Sequence, residues 1–471
     1  MGNAFDELMK IRNKDIDLNE IEIIKSKPLF KTPFKMGEVT AEICAAKAIA
    51  ANDIWEMRTG RRQHISIEEK YASALSLQGT GQTRKKDENG NYQPIPPADT
   101  FAAMVATTQC WQGKNGRWYL PHFNLPHLKE RVLNVLQCDY TPEAVKEAIS
   151  HWDVDELDAA ITDARASGGI VYTQEEWLNH PHGKYLNSLP VVRITKIGDS
   201  KPEGFKENCT QPLSGVNVLD LTRILAGPTC GISLVEHGAN DLMVTSPKLP
   251  QVEAFVRDTS HGKRSCFLDY TIEEEKEKLK ELVKDADIFI EGYRPQSMVK
   301  HGFGPEDVAK MRPGIIYVTI NCYGSEGPYG NRAGWDQCAQ AVTGMCVTQG
   351  EMAGDGNPVL TPVFVCDFLT GLLGSYGAML ALAKRAKEGG SYHIEVSLCQ
   401  SAMLLQRQGL RDDYQDAPGE LTYEELEPYA VYDNNTVYGD LRTLGPITKM
   451  SETNPCWNGT TPKLGSSEPK W

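Results

Sequence analysis

The chain has 471 residues, with 49 Lys plus Arg against 63 Asp plus Glu and a formal charge of -14 with histidine neutral. That length predicts two or three domains with ample cores, and that charge argues against a nucleic-acid or anionic-membrane surface, since both need a clustered excess of cations. An anionic ligand must therefore be held by a local basic pocket.

The opening stretch, MGNAFDELMKIRNK, lacks the apolar core of a signal peptide, and Gly2 fails as a myristoylation site because Asp6 stands where Ser or Thr is needed. No apolar run is read as approaching the roughly 18 residues that span a bilayer, so a soluble, cytoplasmic protein is expected. Residues 1–80 are charged at the front and helical after Gly37. Residues 81–99, GQTRKKDENGNYQPIPPAD, read as a loop. WQGKNGRWYLPHF predicts a hairpin on its Asn-Gly turn. YTPEAVKEAISHW and DVDELDAAITDARAS carry apolar residues at helical spacing. Residues 81–205 are thus expected to form a small α+β domain.

From residue 215 strands and helices alternate. VNVLDLT is a strand, LAGPTCGISLVEHG a turn and helix, DLMVTS a second strand, IEEEKEKLKELVKDA an amphipathic helix, and ADIFIEGY and GIIYVTINCYG two more strands. This order predicts a parallel sheet covered by helices, with ligand near the carboxyl ends of the strands. No G-x-G-x-x-G follows the first strand, which disfavours an ordinary dinucleotide fold. This alternating region is placed at 206–407 and a further segment at 408–471. The 12 cysteines show no C-x-x-C and no zinc spacing, so no metal is expected. Cys366 is read as a small buried hydrophobe.

The chain also looks repeated. The segment from Thr32 to Leu77 aligns without a gap on that from Thr361 to Gln406, with His64 opposite His393 and Glu38 opposite Asp367. Each copy reads as a long helix, a basic turn, a strand and a second helix. In TPVFVCDFLTGLLGSYGAMLALA the single charge is Asp367. Two readings stand for it: a helix N-cap, or a carboxylate nucleophile toward an activated acyl group, favoured by the helix N-terminus.

The blocks VLDLTRILAGPTCGISLVEHGAND, HGKRSCFLDY, DADIFIEGYRPQSMVKHGFGPEDV, GIIYVTINCYGSEGP and AGWDQCAQAVTG, followed by CDF, resemble in order the class III CoA-transferase family of CaiB/BaiF type. That family includes formyl-CoA and carnitine CoA-transferases and alpha-methylacyl-CoA racemases. The likeness is close over about 214–406 and fainter in GRWYLPHF, GIVYTQEEWLNHPHG and VYGDLRTLGPITKMSETNP. It implies a Rossmann-like parallel-sheet CoA-binding domain plus a smaller α+β domain joined by long linker helices, here in a rearranged tandem order. It makes 206–407 the catalytic domain and 408–471 a C-terminal return segment. It implies that Asp367 attacks a donor acyl-CoA, passing through a mixed anhydride and an aspartyl-CoA thioester before an acceptor acid takes the CoA. It places CoA contacts at Arg223, Gly227, Pro228, Lys263, Arg264, Tyr293, Arg294 and Lys300. Arg223 is either a ligand contact or part of an ion pair. Trp335, Asp336 and Glu38 are further candidates, Asp336 as a ligand contact or a loop brace. No tightly bound cofactor is expected; a CoA thioester and a carboxylic acid are the substrates, and a homodimer the assembly.

Two departures from the family matter. The racemase branch has a His before the Asp of its GHD motif, where this chain has Gly334, Trp335 and Asp336, and an indole cannot transfer that proton. His393 and His64 remain open as substitutes. No glycine run like that of the formyl-CoA branch occurs in residues 81–120. Three functions are therefore carried forward: CoA transfer on Asp367; an acyl-CoA racemase, isomerase or lyase using Asp367 as base; and a CoA-binding scaffold.

Overall fold

A computed structural model describes residues 2–78, 81–207 and 209–471; the boundary placed at residue 80 lies outside the described residues. A mixed seven-stranded sheet organises the chain. Its strands are β1 (Arg193–Gly198), β2 (Asn217–Asp220), β3 (Asn240–Thr245), β4 (Arg264–Phe267), β5 (Ile288–Glu291), β6 (Ile316–Asn321) and β7 (Ser391–Ser397). The spatial order is β4-β3-β2-β5-β6-β7-β1. All neighbours pair in parallel except β7 and β1, which run antiparallel. Without that edge strand the order is that of a doubly wound sheet, whose direction reverses between β2 and β5, where such folds take ligand. The centre strands are buried on both faces, which explains their continuous apolar runs. Strand β1 lies within the span assigned to the small domain; it joins the large sheet as its antiparallel edge.

The helices Ala226–Val235 and Val365–Glu388 pack against each other over the sheet. Val365–Glu388 is long and apolar enough to cross a membrane, contrary to the expectation from the sequence, but 94% of its apolar window is buried, so its hydrophobicity is spent on the core. A three-stranded antiparallel sheet, Trp111–Gln112, Trp118–Pro121 and Gly168–Val171, forms the smaller lobe with the helices Pro126–Leu136, Pro142–Ser150 and Val154–Asp163. Residues 81–99 differ from the loop expected. Arg84–Lys86 and Tyr92–Pro94 pair as a hairpin, and Arg84–Lys86 also pairs with the C-terminal strand Gly439–Leu444. These short strands are polar and exposed, so no alternation of burial betrays them.

The helices Met36–Thr59 and Val365–Glu388 are both 24 residues long. Gly60 (φ 74°) ends one and Gly389 (φ 71°) follows the other, positive values that suit glycine beyond a helix end. Each is followed by a strand and a second helix. The two long helices lie against each other, joining the front of the chain to the large sheet.

Candidate active site

Asp367 is the third residue of its helix. The capping residue is Phe364, whose side chain accepts no bond from the first-turn amides, so the N-cap reading of Asp367 fails. The cap comes from a different helix, Asp336–Thr343. The Oδ2 of Asp336 accepts the Asp367 backbone N–H at 3.0 Å, and its carboxylate also accepts from the Cys366 N–H and the Gln340 side chain. The Asp336 carboxylate thus satisfies backbone amides that the first turn leaves free. Asp336 is 1% exposed and Asp367 8%, so the nucleophile candidate is sheltered yet reachable. Burial pushes both carboxyls up, Asp336 to about 7, and the Asp336 charge raises Asp367 further. The donors around Asp336 favour the charge there, so Asp367 is the partner that retains a proton before substrate binds.

Trp335 precedes this helix and stacks on His122 of the small lobe, with ring centroids 5.3 Å apart and planes at 9°. Its buried indole Nε1–H has no hydrogen-bond partner among the described residues. Both His122 nitrogens are engaged, one with Gln337 at 3.1 Å and the other accepting the Asn124 N–H, and burial lowers its pKa to about 4.

At the switch point of the sheet, Arg223 follows β2 and Arg294 follows β5. Ile224, between Arg223 and the helix Ala226–Val235, has φ 75°, a costly conformation for a β-branched residue that holds this turn in a fixed shape. Arg294 and Arg131 both donate to the carbonyl of Arg165, at 2.9 and 3.0 Å, so the two lobes meet on one backbone oxygen. Burial, Arg165 and Arg131 depress the Arg294 pKa; burial, Arg131, Arg223 and Arg294 depress that of His127. None of these four arginines forms an ion pair among the described residues. An acidic protein has here gathered uncompensated cations, an arrangement that suits a polyanion.

The model of CoA-transferase family III matches residues 213–465, more than half of the chain. The chain belongs to CoA-transferase family III. As a member it is an enzyme acting on acyl-CoA. It is 31% identical to an acyl-CoA transferase of Gibberella moniliformis over 496 aligned residues, covering 92% of this chain and 87% of that one. It is 30% identical to the acetyl-coenzyme A transferase nodX of Hypoxylon pulicicidum, covering 79% and 69%. A solved CaiB/BaiF family protein from Brucella suis is 29% identical, with a TM-score of 0.40 over 49% of this chain and 65% of that one.

Several residues that the family likeness singled out are placed elsewhere by the fold. Lys263, expected as a phosphate contact, is buried here: its ammonium donates to Asp220 at 3.0 Å and to the Pro228 carbonyl at 2.9 Å. Gly227 and Pro228 lie in the first turn of Ala226–Val235, not in an open turn. A Cβ on Gly227 would meet Thr222 at 2.2 Å, so glycine admits that side chain rather than a nucleotide. Arg264 is drawn to the Lys470 carbonyl. Arg223 forms no ion pair among the described residues; it donates to the Pro250 carbonyl and lies 5.9 Å from the Tyr293 ring. Tyr293 packs edge-on against Tyr270, and Lys300 is exposed at the end of a short helix. Glu38 pairs with Arg411 at 2.9 Å, beside a cavity lined by Lys35, Glu42 and Glu69 and not by Asp367. His393 bonds Thr319 on the neighbouring strand, and His64 is exposed. Sequence reading missed Arg131, Arg165, His127 and His122, whose only signal was charge or a ring on the small lobe. Arg131→Ala is expected to raise KM for acyl-CoA about tenfold, the worth of one charged hydrogen bond, with kcat within about twofold. Initial-rate kinetics at fixed salt check this.

Proposed function

We propose that the enzyme moves CoA from a donor acyl-CoA to a carboxylic acid through Asp367. The observation that carries this reading is a lone reachable carboxylate in a helix first turn, beside a second carboxylate that is already occupied by backbone amides. The Asp367 carboxylate attacks the thioester carbonyl and CoA leaves as thiolate, giving a mixed anhydride. The thiolate attacks the aspartyl carbonyl, releasing the donor acid and forming the aspartyl-CoA thioester. An acceptor carboxylate displaces the thiolate to form a second anhydride, and attack of the thiolate on its acyl carbonyl yields new acyl-CoA and free Asp367. The unpaired Trp335 N–H is assigned as a donor to oxygen charge that develops in these steps, and the cations at the switch point as the phosphate contacts. The isomerase reading is disfavoured, because His122 has both nitrogens engaged, His393 bonds Thr319 and His64 is exposed.

Incubation with labelled acyl-CoA followed by borohydride reduction should convert Asp367 alone. Deuterium exchange at the alpha carbon with no adduct would overturn transfer. The homodimer and cytoplasmic location stand as further parts of this proposal, checked by light scattering and by cell fractionation. So does the internal repeat, in which Glu38, held by Arg411, occupies the position matching Asp367 but is left out of the chemistry.

Attack requires ionised Asp367, and its pKa is raised, so activity is lost as pH falls through the ionisation of the pair. The rate of acyl transfer is expected to climb about tenfold per unit below the transition and to level off above it. Asp336→Asn removes the like charge and should move that limb at least about one unit to lower pH, with a lower plateau. A limb that stays in place would show that Asp336 does not act on Asp367.

A further inference from the structure

A cavity of about 510 Å³ lies between the small lobe and the loop after β3. Residues 95–104, IPPADTFAAM, cover it, in the part of the chain that lacks a glycine run. Pro96, Phe101, Met104, Phe123, Leu125 and Val252 supply the apolar part of its wall. That wall leads to the catalytic helix. Phe101 meets Phe255 edge-on at 5.7 Å, Phe255 meets Phe364 at 5.9 Å, and Leu125 packs in one cluster with Phe368. Phe364 and Phe368 flank Asp367 in sequence.

The polar groups at the cavity are mostly spent. Arg257 is paired with Asp258 and Gln251 donates to Thr245. Lys129 lies over the Tyr140 ring at 4.6 Å, and Glu253 adds a negative charge. The helix Pro126–Leu136 turns Pro126 and Lys129 to this cavity, while Arg131, with His127 beside it, belongs to the arginine cluster. The nucleotide's phosphates and an apolar group thus have separate places on either side of one helix.

We propose that this cavity is the acyl pocket and that it selects an uncharged aliphatic acyl group over one with a distal carboxylate. The inference rests on the transferase reading and names its substrate class. An acid carried into these walls would meet Arg257 already paired with Asp258 and Lys129 drawn over the Tyr140 ring with Glu253 nearby, so most of its hydration would go uncompensated, whereas each buried methylene contributes to binding.

The test needs no knowledge of the natural acceptor: the enzyme exchanges labelled free acid into its own acyl-CoA. From acetyl-CoA to hexanoyl-CoA, kcat/KM is expected to rise about fourfold per methylene, with succinyl-CoA at least about 100-fold below its near-isostere pentanoyl-CoA. A flat series, or a preference for succinyl-CoA that Lys129→Met removes, overturns the proposal. Met104→Trp and the surface variant Thr100→Trp should each lower the hexanoyl-to-acetyl ratio at least about tenfold by filling the pocket; an unchanged ratio in both overturns it. Calorimetry separates the two claims. Graded Kd values with no exchange would sink the transferase reading and keep the pocket, and equal Kd values for acetyl-CoA and hexanoyl-CoA would sink the pocket whatever the turnover.

Discussion

Asp367→Asn is expected to cut CoA exchange by at least about 10⁴-fold, because an amide cannot form the anhydride and no neighbouring carboxylate is free to replace it. Asp336 cannot take over while it accepts the Cys366 and Asp367 amides. The same variant should melt at a higher temperature above neutral pH. A buried carboxyl with a raised pKa contributes most to stability when protonated, below the ordinary Asp value, and loses that contribution as pH rises toward its folded pKa. The amide carries no charge and escapes this loss. Activity within about tenfold of the parent would remove Asp367 from the chemistry, and a Tm gain at pH 5 as large as at pH 8 would remove the electrostatic account of its cost.

Lys263→Met is expected to destabilise the fold by about 3–5 kcal/mol, since it strands buried carboxylates. Asp220 and Asp241 are each 1% exposed, and Asp241 has no hydrogen-bond partner for either carboxylate oxygen among the described residues. The denaturation midpoint should fall while KM for acyl-CoA of the folded enzyme stays put. A phosphate contact would behave in the opposite way, raising KM with the midpoint unmoved. The Lys263→Arg variant offers less relief than its charge suggests, because the larger planar group must fit beside Gly231 in a packed site: a Cβ there would already lie 2.6 Å from the ammonium.

Much of the large sheet was legible because its strands are apolar throughout and separated by helices of clear period. Asp367 stood out as one charge in an apolar run, and Arg223 and Arg294 follow strands that flank the switch point. What escaped notice depends on contacts distant in sequence. The Asp336 cap crosses 31 residues, and no local pattern in DQCAQAVT distinguishes a brace from a surface acid. Lys263 and Arg264 are adjacent basic residues, yet one is buried and the other is not; the backbone alternates sides, and only the packed sheet decides which side is interior. Arg131 and Arg165 look like ordinary surface charge until the small lobe brings them to Arg294. The hairpin at residues 84–94 exists because the far end of the chain supplies its neighbour.

On the proposed reading, in which the cations around the Arg165 carbonyl take the phosphates, that shared oxygen makes the nucleotide a clasp. Guanidiniums from both lobes repel one another until a polyanion lies among them, so the tail of the substrate would supply binding energy to the chemical step far from any bond that changes. A pantetheine thioester presents the same sulfur and the same acyl group but leaves that clasp undone. Its handicap is therefore expected in the rate of the chemical step as well as in binding, with water entering where the anhydrides must survive.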